Sequence, residues 1–263
     1  MEPYTTISCA VFLFGASIGS FLNVVILRLP NDNESILFPA SHCPACKKTL
    51  SWYENIPIIS YLFLRGRCSS CHKAISLQYP VIELLMAVLS VALYQRFGLS
   101  VTGGGYFIFS AALLVIIWID LHHQIIPDVI SLPGILLGFL FSFFNTFVYW
   151  QESLIGLVIG GGILYTISAL YYLVRRQAGM GGGDIKLLAM LGAFLGYKSL
   201  PFIIFASSLT GAVVGLLVMM VQKKDIATKI PFGPFLSIAA LVYLFFQEEI
   251  HHVFLLYIHG GLL

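Results

Sequence analysis

Long apolar runs separated by short polar stretches dominate the pattern of this chain. About eight runs have, or nearly have, the ~20 residues with which an α-helix crosses the ~30 Å hydrocarbon core of a bilayer. In chain order they are Ile7–Leu27, Val81–Phe97, Tyr106–Ile119, Ile130–Trp150, Leu154–Val174, Ile185–Gly196, Leu200–Val221 and Phe232–Phe246. The third and sixth runs are short for a crossing, and the last can extend into His251–Leu263. The pattern predicts an all-α polytopic membrane protein with about eight transmembrane helices.

A polar insert between the first two runs interrupts this pattern. It extends from about Leu29 to Pro80 and contains Pro, Cys, Lys and Arg residues. The first run is longer than the apolar part of a signal peptide, and Glu2 stands where a basic residue is expected, so we expect a retained helix. The sequence therefore predicts a first transmembrane helix in residues 1–28, a small extramembrane domain in 29–80 and a membrane-embedded domain in 81–263.

Composition supports the membrane assignment. Of the 263 residues, 59% are hydrophobic and 10% are charged, whereas a soluble domain has roughly 25% charged residues. This composition excludes an ordinary soluble enzyme and a disordered chain. The net charge of +2 is too small for a surface that reads nucleic-acid phosphates. We therefore expect the protein to contact membrane lipid and not to bind nucleic acid.

The distribution of Lys and Arg predicts the orientation. If the polar insert is cytoplasmic, twelve of the 14 basic residues lie on the cytoplasmic side, and Arg96 and Lys198 lie on the other. Because cytoplasmic loops are enriched in Lys and Arg, we expect the N-terminus outside and the insert inside. Eight crossings would return the C-terminus to the outside.

Four cysteines in the insert have the spacing of a zinc site. Two C-x-x-C pairs, Cys43/Cys46 and Cys68/Cys71, are separated by 21 residues. Each pair can bring two thiolates to one ion, and four thiolates saturate tetrahedral zinc, which favours a structural role over catalysis. On the reducing side of the membrane a disulfide is the weaker interpretation. A redox role is weaker still, because no thioredoxin-like pattern surrounds either pair.

Four acidic residues lie in or beside apolar runs, where a carboxylate is costly and usually functional. Asp120 ends the third run, and Asp184 opens the sixth after Gly181-Gly-Gly183. The predicted topology places both at the cytoplasmic face. Two carboxylates that share a proton can act as an aspartyl protease, and Gly181 and Gly183 permit a close backbone approach. From the residues alone, a proton or ion relay in a transporter, or two unrelated helix-end aspartates, remain alternatives.

The other two acids have structural as well as functional interpretations. Asp128 precedes the fourth run and is interpreted first as a helix N-cap, with direct chemistry as the alternative. Glu83 follows Tyr79-Pro80 and is interpreted either as a first-turn acid, which the helix dipole favours, or as part of a site that faces the insert.

Taken in order, the motifs resemble those of the type IV prepilin peptidases, also called leader peptidase/N-methyltransferases. The match extends from the first run to the sixth. The segments that carry it are Gly19–Pro30, the two C-x-x-C pairs, Tyr79–Glu83, Ile119-Asp120 with Ile126–Asp128, and Gly179–Lys186.

The resemblance implies an activity and a location. Members of this family are aspartyl proteases of the G-x-G-D class in the bacterial inner membrane. They remove the short basic leader from type IV prepilins, or from pseudopilins of type II secretion, and cut after a glycine. Bifunctional members then methylate the new N-terminal amine with S-adenosylmethionine. The resemblance assigns catalysis to Asp120 and Asp184, zinc binding to Cys43, Cys46, Cys68 and Cys71, and keeps Asp128 outside the primary pair.

Two alternatives differ from this function. One is a peptidase without methyltransferase activity, since the sequence has no glycine-rich donor fingerprint after a strand. The other is a transporter gated by a zinc-stabilised loop. A transporter would more often show paired, discontinuous helices in two matching halves, and the sequence shows none.

Overall fold

A computed structural model describes residues 3–31, 35, 37–177, 181–222 and 230–258. These residues form nine α-helices and no extended β-strand, which confirms the all-α prediction. The helices are α1 (Pro3–Arg28), α2 (Ile59–Phe63), α3 (Gln78–Phe97), α4 (Val101–His123), α5 (Asp128–Phe141), α6 (Trp150–Arg175), α7 (Gly182–Leu195), α8 (Leu200–Gln222) and α9 (Gly233–Ile258). Two short 3₁₀ helices cover Trp52–Asn55 and Tyr197–Ser199.

Each predicted apolar run coincides with a helix, but not every helix is long enough to cross a bilayer. Within the described ranges, six helices have the length and apolar character of a membrane span, namely α1, α3, α4, α6, α8 and α9. Helices α5 and α7 have 14 residues each, about 21 Å at 1.5 Å per residue. The membrane character is therefore confirmed, while the count of eight crossings stays a prediction.

Three helices differ in length from the predicted runs. Helix α4 begins at Val101 and is long enough to cross. The Ser100 hydroxyl, just before the helix, accepts a hydrogen bond of 3.0 Å from the Gly103 N–H and so caps this earlier start. Helix α5 ends at Phe141, well before Trp150. There the Ser142 hydroxyl bonds to a backbone carbonyl at 2.6 Å, a local alternative to helical bonding. Helix α9 continues past Phe246 to Ile258, within the extension considered for the last run, and deviates from helical geometry at Phe246.

Close helix packing organises the first compact unit, Met1–Val115. Gly15 and Gly19, one turn apart on α1, lie against α3. A Cβ at Gly19 would lie 2.6 Å from the Cα of Glu83, and one at Gly15 would collide with the Ser90 side chain. Asn23 donates a hydrogen bond to the Tyr79 carbonyl at 3.1 Å. Small residues at this four-residue spacing allow two backbones to approach closely.

Helix α7 forms the core of the second compact unit, Ile116–Leu263. All of Leu187–Leu195 is buried, and the helix packs against α5, α6 and α9. Glycines allow the contact with α6, since a Cβ at Gly160 would lie 2.6 Å from the Leu188 carbonyl oxygen and one at Gly156 would collide with Gly192. The burial of α7 fixes the position of its first turn, which contains Asp184. The predicted division at residues 28 and 80 stays a prediction.

Candidate functional site

Asp120 is a buried carboxylate in the last turn of α4. Its exposed fraction is 4%, and its Oδ2 accepts a hydrogen bond of 3.0 Å from the backbone N–H of Gly233. Gly233 is the first residue of α9, so two helices that are distant in sequence meet at this oxygen. A Cβ at Gly233 would lie 2.6 Å from Asp120 Oδ2. A larger residue there would therefore displace the carboxylate or the start of α9.

Asp184 lies in the first turn of α7 and is half-buried. Its N–H donates to the Gly181 carbonyl at 3.2 Å, which closes the turn that begins the helix. The preceding Gly179 and Met180 of the motif lie outside the described residues. The first turn of a helix carries partial positive charge from its free N–H groups. The backbone of α7 therefore favours an anionic group at the position of Asp184.

The segment between α4 and α5 brings the two aspartates into one site. A Cβ at Gly183 would lie 2.9 Å from Ile126 Cβ, and one at Gly233 would lie 3.1 Å from Ile126 Cδ1. Ile126 therefore packs between the turn that carries Asp184 and the glycine that binds Asp120. The structure therefore brings Asp120 and Asp184 together. Gly183 packs so closely against Ile126 that a side chain has no room, whereas a Cβ at Gly182 would have no neighbour within 4 Å.

Asp128 has a different environment from the one expected of a helix cap. Pro127 is the N-cap residue of α5, and Asp128 is the first residue of the helix. Both of its carboxylate oxygens lie 2.7 Å from Lys186 Nζ. The N-cap interpretation is therefore wrong, because an ammonium group and not the helix N-terminus binds this carboxylate. The pair links the start of α5 to α7, two residues after Asp184.

Glu83 is buried in the second turn of α3, in the first compact unit. The helix begins at Gln78, so the first-turn interpretation is wrong. Glu83 Oε2 accepts a hydrogen bond of 2.7 Å from the backbone N–H of Ile58 in the polar insert. The carboxylate therefore faces the insert, as the second interpretation expected, and it holds one turn of the insert against α3.

The four cysteines of the insert form a cluster with the geometry of a tetrahedral metal site. All four Sγ atoms lie within 4.8 Å of one another. The Cys43–Cys71 and Cys46–Cys68 sulfur distances are 3.8 and 3.9 Å. Four sulfurs at ~2.3 Å from one zinc ion would be about 3.8 Å apart. The donor set and its spacing fit zinc and leave no open position for substrate.

The two cysteine pairs are copies of one backbone knuckle. Residues 42–51 and 67–76 align as HCPACKKTLS and RCSSCHKAIS, an offset of 25 positions. In each copy the first cysteine N–H donates to a lysine carbonyl at 2.9 Å, that of Lys48 or Lys73. The residue after the second cysteine, Lys47 or His72, has a positive φ in both. This short duplication makes the two halves of the site equivalent.

Backbone amides in each knuckle favour the thiolate form that binds metal. The N–H groups of Cys46 and Ala45 lower the pKa of Cys43 to about 6. The N–H groups of Cys71 and Ser70 lower the pKa of Cys68. Because zinc binds the thiolate and not the thiol, the peptide backbone prepares one sulfur of each pair for coordination.

Glu54 joins the two knuckles and was not singled out by the sequence analysis. Its buried carboxylate accepts hydrogen bonds from the Ser51 N–H at 2.8 Å, from Lys48 Nζ at 3.1 Å and from the Ser69 hydroxyl. These bonds, that of Ser69 foremost, lower the pKa of Glu54 to about 2. The spacing Ser51-x-x-Glu54 is a capping-box signal, and the structure contains that box. The carboxylate thus links the two knuckles that carry the four cysteines.

Two further residues of the candidate site were missed from the sequence. Lys186 ends the Gly179–Lys186 motif but was given no role, and Gly233 was not considered. The pattern Pro231-Phe-Gly-Pro234 offered a signal for Gly233. A glycine between two prolines at the start of an apolar run indicates a constrained backbone.

Two family comparisons match successive parts of the chain. Residues 13–97 match the bacterial peptidase A24 N-terminal domain, and residues 107–216 match the type IV leader peptidase family. The first match includes all four clustered cysteines, and the second includes Asp120 and Asp184. No solved structure matches the chain.

Named relatives are similar over nearly the whole chain. A Stutzerimonas stutzeri protein named prepilin leader peptidase/N-methyltransferase is 40% identical, with 95% of this chain and 93% of that protein covered. A Pseudomonas aeruginosa protein of the same name is 37% identical, with coverage of 97% and 95%. One from Neisseria gonorrhoeae is 38% identical, with coverage of 92% and 91%.

Proposed function

Because this chain belongs to the type IV leader peptidase family, we propose that it cleaves the leader from type IV prepilins or type II secretion pseudopilins and then methylates the new N-terminus. Its relatives carry both activities in their name. The observation that carries the peptidase assignment is the convergence of Asp120 and Asp184 around Ile126 and Gly233. The methyl group comes from S-adenosylmethionine as a co-substrate.

The proposed chemistry is that of a carboxylate pair sharing one proton. The ionised carboxylate takes a proton from a water molecule, whose oxygen attacks the scissile carbonyl carbon. The protonated carboxyl donates its proton to the carbonyl oxygen. When the tetrahedral intermediate collapses, the C–N bond breaks and the leaving amine takes the proton that the first carboxylate received from water. A hydroxyl of the intermediate returns its proton to the second carboxylate as the new carboxyl group forms. Asp120 and Asp184 titrate as a coupled pair, with two apparent pKa values that belong to both.

The position of the pair suits a substrate that is itself an apolar helix. A prepilin has its scissile bond at the membrane end of such a helix, so the protease must hold its carboxylates at the same depth. Asp120 lies in the last turn of a membrane helix and Asp184 in the first turn of a buried one. With the orientation predicted by the Lys and Arg distribution, this end of the helices faces the cytoplasm of a bacterial inner membrane.

The cysteine cluster has a structural part in this proposal. Bound zinc would crosslink the two knuckles and stabilise a domain too small for a large core of its own. Cys43, Cys46, Cys68 and Cys71 would hold the ion, and Glu54 would fix the knuckles relative to each other.

Product masses test the function directly. The purified protein is incubated with a prepilin, with and without S-adenosylmethionine. We expect loss of the leader mass in both reactions and an additional methyl mass only with the donor. Asp120→Asn and Asp184→Asn should abolish cleavage, and each should still methylate a pilin supplied without its leader. Glu249→Gln, an exposed acid on α9, is the matched control and should cleave normally. Full cleavage by both aspartate variants would overturn the proposal.

A further inference from the structure

Helix α2 exposes its apolar face. Ile59, Leu62 and Phe63 have the i, i+3, i+4 spacing that places side chains on one side of a helix. Their exposed fractions are 45%, 68% and 85%. In a water-facing domain an apolar face of this kind packs against a core. Here it is exposed, and an exposed apolar face marks a contact with another apolar environment.

The 3₁₀ helix before α2 extends this surface. Trp52 is 81% exposed and Tyr53 is 55% exposed. Their rings lie edge to face with centroids 5.9 Å apart, and the 3₁₀ helix packs against α2. Five large apolar or aromatic side chains are therefore exposed within twelve residues. We refer to residues 52–63 as the interfacial segment.

A hydrogen bond fixes the depth of the interfacial segment along a membrane helix. The Ile58 N–H, which precedes α2, donates to Glu83 Oε2 at 2.7 Å. Glu83 is the sixth residue of α3, about 7.5 Å along the helix axis from Gln78. Helix α3 has the length and apolar character of a membrane span. The start of α2 therefore lies beside this span, between one and two turns from its N-terminal end.

The backbone at this contact is constrained. Ile58 has a φ of +62°, a conformation that β-branched residues rarely adopt. The bond to the buried Glu83 carboxylate holds this turn in place, so the depth of the segment follows from the fold and not from a freely moving loop.

The charges around the segment complement an anionic bilayer surface. Arg65 and Arg67 follow α2 directly and are exposed, as are Lys47 and Lys73 in the knuckles. Residues 37–77 contain a single acidic residue, Glu54, and it is buried and paired with Lys48. Apolar and aromatic groups flanked by basic residues are typical of segments that lie in the membrane interface.

We propose that the interfacial segment inserts into the headgroup region of the bilayer and holds the four-cysteine domain against the membrane. Trp52, Tyr53, Ile59, Leu62 and Phe63 contact the upper acyl chains, and Arg65 contacts lipid phosphates. Lipid, and not a protein partner, covers this surface. The domain then has a fixed height above the membrane because two contacts hold it, one to α3 and one to lipid.

Tryptophan fluorescence measures the contact between the interfacial segment and lipid. The chain has three tryptophans, so two must be replaced for one to report alone. The full-length variant W118F/W150F retains only Trp52 and is reconstituted into vesicles that contain phosphatidylglycerol. Lipids carry bromine either near the headgroup or at the middle of the acyl chains. We expect at least twofold stronger quenching by bromine near the headgroup, and weak quenching by aqueous iodide. The W52F/W118F variant, which retains Trp150 at the start of α6, is the positive control for lipid contact.

A second tryptophan position tests whether the result at Trp52 holds for the whole interfacial segment. F63W in a background of W52F, W118F and W150F reports from the other end of the segment and should show the same quenching pattern. Strong iodide quenching without bromine quenching at both positions would show that the surface faces water. Iodide protection that arises only when a prepilin is added would show that a protein covers it. Either result would overturn the proposal, whether or not the protein cleaves prepilins.

Discussion

The ammonium nitrogen of Lys186 lies 2.7 Å from both carboxylate oxygens of Asp128. Asp128 follows Asp120 by eight residues, and Lys186 follows Asp184 by two. The ion pair therefore crosslinks the two chain segments that carry the candidate catalytic residues. Both side chains are partly exposed, at 37% and 55%, so the pair adds only about 0–1 kcal/mol to the free energy of unfolding. Its larger effect is expected on the placement of Asp120 and Asp184.

Breaking this ion pair should slow cleavage. For Lys186→Ala and Asp128→Ala we expect kcat for prepilin cleavage to fall about tenfold or more, because small displacements of catalytic groups are costly. The charge-reversed variant D128K/K186D should recover part of the loss. Steady-state kinetics of the single and double variants measures this coupling.

A second ion pair in the same unit provides the matched control. Lys198 Nζ lies 2.6 Å from Glu152 Oε1, beyond the opposite end of α7. Lys198→Ala removes a comparable bond far from the aspartates and should leave kcat unchanged. If the reversed Asp128/Lys186 pair is as slow as the single variants, the pairing of charges is not what positions the site.

Gly233 should be intolerant of any side chain. An alanine Cβ would lie 2.6 Å from Asp120 Oδ2, closer than such contacts occur, so either the carboxylate or α9 must move. We expect Gly233→Ala to reduce cleavage at least a hundredfold while the protein still inserts into the membrane. The same cleavage assay, with membrane fractionation, measures both properties.

Gly162→Ala is the control for this glycine effect. A Cβ at Gly162 in α6 meets nothing within 4 Å, and alanine favours a helix over glycine. Its activity should equal that of the unaltered protein. Normal cleavage by Gly233→Ala would mean that the bond between Gly233 and Asp120 has no part in catalysis.

The sequence was sufficient for features that depend on local pattern. Apolar runs predicted the helices, and the cysteine spacing predicted a cluster that the Sγ distances bear out. The ends of the helices were harder to predict from the sequence. Helix α5 ends at Phe141, where the Ser142 hydroxyl bonds to a backbone carbonyl. Helix α4 begins at Val101, where the Ser100 hydroxyl accepts a hydrogen bond from the Gly103 N–H. Such choices depend on local competition between hydrogen bonds, which an apolar pattern does not record.

Contacts between distant segments were the features that sequence reasoning missed. The partners of Asp120 and Asp128 are Gly233 and Lys186, which lie 113 and 58 residues away. Neither spacing has a local signature, so the cap interpretation of Asp128 prevailed. Asp120 and Asp184 were found because a carboxylate in an apolar run is unusual by itself. Residues that support them are ordinary in sequence and become distinctive only when the chain is folded.

Removing the Glu83 carboxylate should destabilise the insert. In Glu83→Ala the part-buried N–H of Ile58 loses its acceptor, which costs about 1 kcal/mol. We expect a lower midpoint of thermal unfolding and faster proteolysis of residues 37–77. Glu83→Gln keeps an acceptor oxygen and should restore most of the stability. Equal loss in both variants would indicate that the charge, and not the hydrogen bond, is required.

Replacing two of the four cysteines tests whether the cysteine cluster has a structural role or a chemical one. The protein should bind one zinc ion per chain, and C43S/C46S should release it, since two thiolates hold zinc poorly. We expect this variant to lose the fold of the insert and to be cleaved by protease there, because bound metal supplies much of the folding free energy of a small domain. Cys9→Ser, a thiol in α1 outside the cluster, is the control and should keep full zinc content.

The zinc content and the methylation activity of each variant are measured on the same preparation. Methylation that persists without zinc would assign the cluster a structural role alone, and undiminished zinc content in C43S/C46S would contradict the four-cysteine site.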